Sequence, residues 1–141
     1  MGFEKKSRPA CRAYLANNQS IPNATWTDIV FDAEEYDTDA MFAPPDHIIY
    51  AKRLAGYYLL VGQVTFAGGT TGFRVANING AFNLKDTVAS DWYTSVQVTS
   101  LRRLAVNDPV TLGVYQNSGA ALNAQGDANL TWLSVTHLSG R

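Results

Sequence analysis

The longest apolar run of the chain, residues 54–66 (LAGYYLLVGQVTF), constrains the fold more than any other feature. It is shorter than the roughly 20 apolar residues that a membrane-spanning helix needs, and its β-branched and aromatic residues favour a strand. With a period of two, one face carries Tyr58, Leu60, Gly62, Val64 and Phe66, and the other carries Tyr57, Leu59, Val61, Gln63 and Thr65. Because both faces are largely apolar, we expect the strand to be covered on both sides, with a second copy of the chain supplying one cover.

The size and charge of the chain predict one globular domain. It has 141 residues, of which 46% are hydrophobic and 16% charged, against a usual charged share of about a quarter. A low charge content fits a surface that is partly covered by another copy. The formal net charge of -1 argues against a nucleic-acid partner, since nucleic-acid-binding domains tend to be strongly basic.

The first nine residues differ in character from the rest. Residues 1–9 are polar and include Lys5, Lys6 and Arg8, so we predict a flexible N-terminal arm followed by a single domain over residues 10–141. No apolar stretch follows the basic residues, which predicts that there is no secretory signal. No membrane-spanning segment and no membrane partner are expected either.

Short strand signals separated by turns fill the remaining sequence. They fall at residues 10–16, 25–32, 73–78, 92–104, 110–116 and 130–138. The dipeptide Asn79-Gly80 is a strong hairpin signal, and helical spacing is absent almost everywhere. This pattern predicts an all-β sandwich or barrel, with the acidic residues 33–46 as a loop.

No arrangement of reactive residues predicts catalysis. No nucleophile, carboxylate pair or phosphate-binding motif stands at a recognisable spacing, so we expect a protein that is not an enzyme and has no resident cofactor. The two histidines, His47 and His137, lack the further ligands of a zinc site. The lone Cys11 predicts a small buried side chain rather than an intramolecular disulfide.

Two other chemistries remain open at this point. Seven acidic residues between positions 28 and 46 are either a solvated acidic loop or oxygen ligands for calcium, although the spacing of an EF-hand is absent. The tyrosines and tryptophans include side chains suited to stacking on sugars, although core and interface positions account for most of them.

The central strand resembles a known family. Gly56 to Leu60 (GYYLL), followed by QVTF at 63–66, resembles the Gly-x-Tyr strand of the C1q and tumour necrosis factor (TNF) jelly rolls. Four other segments resemble that family in the same order: residues 10–17, residues 31–42 with a YDTD run typical of bacterial and phage members, residues 104–110, and residues 131–138 (TWLSVTHL). The resemblance implies a C1q/TNF-like jelly-roll β-sandwich that forms a compact homotrimer.

The resemblance also implies a place for the side chains of two strands. Six are expected in the core of each chain: Tyr58, Leu60, Val64, Phe66, Trp132 and Leu138. Seven are expected at the trimer interface: Tyr57, Leu59, Val61, Gln63, Leu133, Val135 and His137.

A stalkless trimer of this kind resembles virion proteins. This resemblance implies a non-enzymatic structural and adhesive protein that is assembled in the host cytoplasm and carried on the surface of a phage virion. There it would decorate or stabilise the capsid lattice, or bind another virion protein, through Lys5, Lys6 and Arg8 of the arm. The alternative is a receptor- or carbohydrate-binding tip of a tail fibre or appendage, whose distinguishing feature would be an exposed aromatic groove away from the arm.

Overall fold

The computed structural model describes residues 7–43, 46–80, 82–88 and 91–140. These ranges contain strands and no helix. The strands are β1 (Ala10–Tyr14), β2 (Gln19–Ile21), β3 (Thr27–Asp28), β4 (Ala33–Asp37), β5 (Phe42–Ala43), β6 (Ile48–Tyr50), β7 (Gly56–Phe66), β8 (Phe73–Ile78), β9 (Phe82–Val88), β10 (Thr94–Leu104), β11 (Pro109–Val110), β12 (Leu112–Gln116), β13 (Leu122–Ala124) and β14 (Trp132–Ser139).

The largest sheet is built around β7. This strand pairs antiparallel with β14 along one edge and with β10 along the other. The path β2-β13-β7-β14-β1-β4 runs through the sheet, and β10 completes its seven strands. The apolar run that dominates the sequence is therefore the central strand of the large sheet.

A second sheet faces the first. It has four antiparallel strands in the order β3-β12-β8-β9, and a third, three-stranded sheet has the order β11-β6-β5. Tyr58, Leu60, Val64 and Phe66 of β7 are fully buried in a core shared with Leu112 and Val114 of β12. A methyl group of Leu112 lies 2.7 Å from where a Cβ on Gly62 would stand, so glycine allows the two sheets to approach at that point.

The last strand faces the opposite way from the expectation based on family resemblance. In the ladder between β14 and β7, Val135 lies opposite Leu60 and Leu133 opposite Gly62. Residues directly opposite one another share a face of the sheet, so Leu133, Val135 and His137 are buried inside their own chain. Their expected position at the trimer interface was wrong.

Trp132 and Leu138 are corrected in the same way. Trp132 is half-buried on the outer face, where the guanidinium of Arg12 lies 4.1 Å from its ring centroid. Leu138 alternates in step with Trp132 along the strand and is 44% exposed, at the point where the pairing with β7 shifts by one residue. Neither side chain belongs to the buried core.

Much of the acidic segment is ordered structure rather than a loop. β4 pairs with β1, and β5 pairs with β6. The Asp37 carboxylate accepts hydrogen bonds from the backbone amides of Met41 and Phe42, at 2.8 and 2.9 Å. Asp39 forms a 2.8 Å ion pair with Arg53. These two carboxylates stabilise the local backbone, and the described residues include no group of three or more side chains that could hold a metal ion.

Candidate functional site

One candidate surface is the outward face of the large sheet, which we call the central face and define by the outward side chains of β7, β10 and β14. Tyr57, Leu59, Val61 and Gln63 of β7 are half-buried there. Leu101 of β10 lies opposite Leu59 and is 58% exposed. On the other side, Thr136 and Ser134 of β14 lie opposite Leu59 and Val61. The middle of the face is thus apolar and bordered by hydroxyl groups.

Charged side chains lie at the edges of the central face. Among its described members, Arg103 alone is charged, and its guanidinium lies 5.7 Å from the ring centroid of Tyr57. Beyond β14, Arg12 forms a 3.0 Å ion pair with Glu35. Protein interfaces are depleted of charge in the middle and polar at the rim, so the central face has the composition of an interface.

The described part of the N-terminal segment lies against β14. The Pro9 carbonyl accepts a 2.9 Å hydrogen bond from the backbone amide of His137, and the Ser7 carbonyl accepts one from Arg53. Arg8 donates to Nδ1 of His137 at 3.3 Å, so the Nε2–H of that ring donates to the Ala55 carbonyl at 3.2 Å. Lys5 and Lys6, the other two residues expected to attach to a particle, lie outside the described residues.

A row of aromatic rings lies on the outward face of the four-stranded sheet. The rings of Trp26 and Tyr115 are 5.4 Å apart, and those of Tyr115 and Phe73 are 6.0 Å apart and stacked. Trp26 is 49% exposed and Phe73 43%. Half-exposed aromatic side chains of this kind offer flat apolar surface to a ligand.

Beside Trp26 is an open hollow of about 270 Å³, which we call the Gly113 hollow; its lining is Trp26, Asp28, Asn77, Gly80 and Gly113. Gly113 lies between Asp28 of β3 and Asn77 of β8 in the two ladders of β12. The Asn77 Nδ2 group donates to the Gly80 carbonyl at 3.2 Å. The hollow exists because Gly113 has no side chain to fill it.

Comparison with known proteins identifies the fold. No protein-family model matches the sequence, and neither does any curated protein. Among solved structures, murine APRIL at pH 5.0 is similar over 93% of this chain and 99% of its own, with 19% identity and a TM-score of 0.63. Eiger TNF from S. frugiperda is similar over 96% of both chains, with 11% identity and a TM-score of 0.57. The chain has a TNF-like jelly-roll fold.

The jelly-roll fold predicted from the sequence is thereby confirmed. Its two candidate surfaces lie on opposite sides of the sandwich: the central face on the large sheet and the Gly113 hollow on the four-stranded sheet. In the part of the jelly roll that the structure describes, no helix is long and apolar enough to cross a membrane.

The Gly113 hollow was not predicted from the sequence. Asp28, Asn77 and Gly113 are far apart in the sequence, and only the register of three strands of the jelly roll brings them together. The one local signal was Asn79-Gly80, which identified a hairpin turn beside the hollow but not its contents. Trp26 was assigned to a strand, and a period of two places it with Asp28 on the face opposite Ile29 and Phe31. That unused signal indicated that its ring would be exposed.

Proposed function

We propose that this chain is the subunit of a homotrimer with a structural and adhesive role that involves no catalysis. The observation that supports this most directly is the central face. Leu59, Val61 and Leu101 form an apolar patch on adjacent strands, without a charged residue among them. A monomer would leave this patch in water, whereas a threefold assembly would bury three copies of it.

The two histidines support a role without catalysis. Nδ1 of His47 lies 2.7 Å from the Phe31 carbonyl, and His137 is buried between Arg8 and the Ala55 carbonyl. Both imidazoles therefore bind backbone groups, as structural histidines do, and among the described residues neither ring is hydrogen-bonded to a serine, threonine or cysteine side chain.

Our finer proposal is that the trimer is a phage virion surface protein that decorates or stabilises the capsid. It rests on the resemblance of the YDTD run, residues 36–39, to phage and bacterial jelly rolls. A trimer carries three N-terminal segments, and three weak attachments on one rigid body bind about 100 to 10,000 times more tightly than one when the geometry fits. A lattice site of threefold symmetry is the matching partner.

The assembly is tested by measuring mass in solution. Light scattering coupled to size exclusion should give three times the chain mass of 15.4 kDa. Leu59→Asp should yield monomers or prevent folding, because a charge would be buried without a partner. Val106→Asp is the matched control, since Val106 is 42% exposed and lies on a turn outside the central face. A monomeric wild-type chain would contradict the proposal.

A further inference from the structure

The Gly113 hollow contains a hydrogen-bond acceptor that nothing in the described chain satisfies. Asn77 is only 2% exposed. Because a carbonyl only accepts hydrogen bonds, the amide atom next to the Gly80 carbonyl is the nitrogen Nδ2, and the atom that faces the hollow is the oxygen Oδ1. No donor among the described residues lies within hydrogen-bond distance of its Oδ1. Buried acceptors without a partner are rare because they lose their bonds to water and gain none in return.

A second acceptor faces the same small space. A Cβ built on Gly113 would lie 2.5 Å from Asn77 Oδ1 and 3.5 Å from Asp28 Oδ1. One group placed over Gly113 is therefore in reach of both oxygens. An ionised carboxylate and an amide oxygen only accept hydrogen bonds, so the complementary ligand must present donors to the hollow.

Beside Asp28 and Asn77, the ring of Trp26 also lines the hollow and limits the shape of the ligand. The half-exposed ring of Trp26 borders the hollow, and the ring of Tyr115 lies 5.4 Å from it. An aromatic face attracts the apolar C–H face of a flat ligand. A molecule with an apolar face and several hydroxyl donors along its edge is a sugar ring.

We propose that the Gly113 hollow binds an uncharged sugar ring, stacked on Trp26, whose hydroxyls donate to Asp28 and Asn77. Uronic and sialic acids are disfavoured because their carboxylates would be repelled by Asp28. Calcium is disfavoured because it takes six to eight oxygen ligands and this space offers two side chains with oxygens. A larger cavity adjoins the hollow, shares Asp28 and Gly80, and extends to Asp108, which leaves room for further sugar units. The proposal is independent of trimer formation.

The proposal is tested by saturation-transfer NMR on the full chain with maltose, cellobiose, lactose and N,N′-diacetylchitobiose as probes. We expect transfer to at least one disaccharide, and titration of that disaccharide should give a saturable affinity. Asp28→Ala should weaken it by at least about tenfold, the equivalent of one charge-assisted hydrogen bond. Trp26→Ala should weaken it by a similar factor because the stacking face is lost. Gly113→Ala should have the same effect, because its methyl group would occupy the hollow while leaving Trp26, Asp28 and Asn77 in the chain.

Trp92→Ala is the matched control, because Trp92 is 77% exposed but lies outside the hollow. It should leave the affinity unchanged, and circular dichroism should show that all four variants are folded. The proposal is overturned if no probe receives saturation, if Trp26→Ala and Gly113→Ala both bind normally, or if binding disappears with a calcium chelator. The mass of each variant in solution is measured in parallel, so that sugar binding and trimer formation are tested separately. If the chain binds the sugar as a monomer, the trimer proposal is contradicted and the sugar proposal is not.

Discussion

The thiol of Cys11 lies on β1 without contact with solvent. Burial raises the pKa of this thiol well above its ordinary value, and the nearby charges of Asp37 and Glu34 raise it further. The thiolate is the reactive form of cysteine. We therefore expect a chromogenic disulfide reagent to leave the native protein unlabelled at pH 8 and to label one thiol per chain after denaturation. Rapid labelling of the native chain would contradict the burial of Cys11.

The same thiol makes the free energy of unfolding depend on pH in the alkaline range. Its pKa is higher in the folded chain than the ordinary value of 9.0, so as pH rises above that value the unfolded chain loses its proton first. Deprotonation then favours the unfolded state, and the free energy of unfolding should fall as pH increases from 8 to 10. Urea denaturation should show a shallower fall in Cys11→Ala, where this group is absent.

Two leucines on opposite faces of β14 test the corrected orientation of that strand. Leu133 is fully buried and Leu138 is 44% exposed at the shift in pairing. Leu133→Ala should lower the free energy of unfolding by about 2 to 5 kcal/mol, the usual cost of a cavity in a core. Leu138→Ala should change it by about 0.5 kcal/mol or less, as exposed substitutions do. If the two substitutions lower the free energy of unfolding equally in chemical denaturation, Leu133 does not face the core and the corrected orientation of β14 is contradicted.

At the scale of the element, the sequence predicted β7 far better than β14. The long alternating run on β7 defines its faces, and Tyr58 and Leu60 are buried as that pattern indicates. On β14, Ser134 and Thr136 share a face with Trp132, and their polarity already indicated that this face points outward. The aromatic ring in the family resemblance outweighed that signal. The shift in pairing at Leu138 depends on β7 and has no local signature in the sequence.

Gly56 is the glycine on which that irregular pairing depends. Its φ is +139°, and a Cβ there would lie 2.1 Å from the Ser139 carbonyl oxygen. Gly56→Ala should therefore lower the free energy of unfolding by about 1 to 3 kcal/mol or more, since both the backbone and the contact are strained. Gly140→Ala is the control, because a Cβ at Gly140 would meet nothing within 4 Å. A Gly56→Ala melting temperature equal to that of the control would contradict this role.

At the scale of the whole molecule, the N-terminal segment divides into two parts with separable effects. Removal of residues 2–6 leaves the contacts of Ser7, Arg8 and Pro9 in place, and we expect a folded trimer with an unchanged melting temperature. Removal of residues 2–9 also deletes the bonds to Arg53 and His137, so its melting temperature should be lower. Differential scanning calorimetry of the two truncations measures this difference.

The shorter truncation also tests the proposed attachment to a particle. If Lys5 and Lys6 bind a capsid lattice, deleting residues 2–6 should abolish co-sedimentation with particles, and binding by the full chain should weaken with added salt because exposed charges are screened. Full occupancy by the truncated trimer would contradict a role for Lys5 and Lys6 and would leave attachment to Arg8 or to the jelly roll itself.

The opposite placement of the central face and the Gly113 hollow has a thermodynamic consequence. The hollow and the central face lie on different sheets and share no residue, so a single sugar in the hollow does not alter the contacts of the central face. A longer glycan that enters the adjoining cavity would reach Arg103 at the edge of that face. Assembly and the binding of a single sugar are then not coupled, and the affinity of each hollow for that sugar should be the same at every protein concentration. If the central faces meet around a threefold axis, the three hollows on the opposite sheets point away from that axis in different directions. A flat glycan surface then cannot fill all three hollows at once, and a trimer gains less avidity on it than on a flexible glycan chain that can wrap around the trimer.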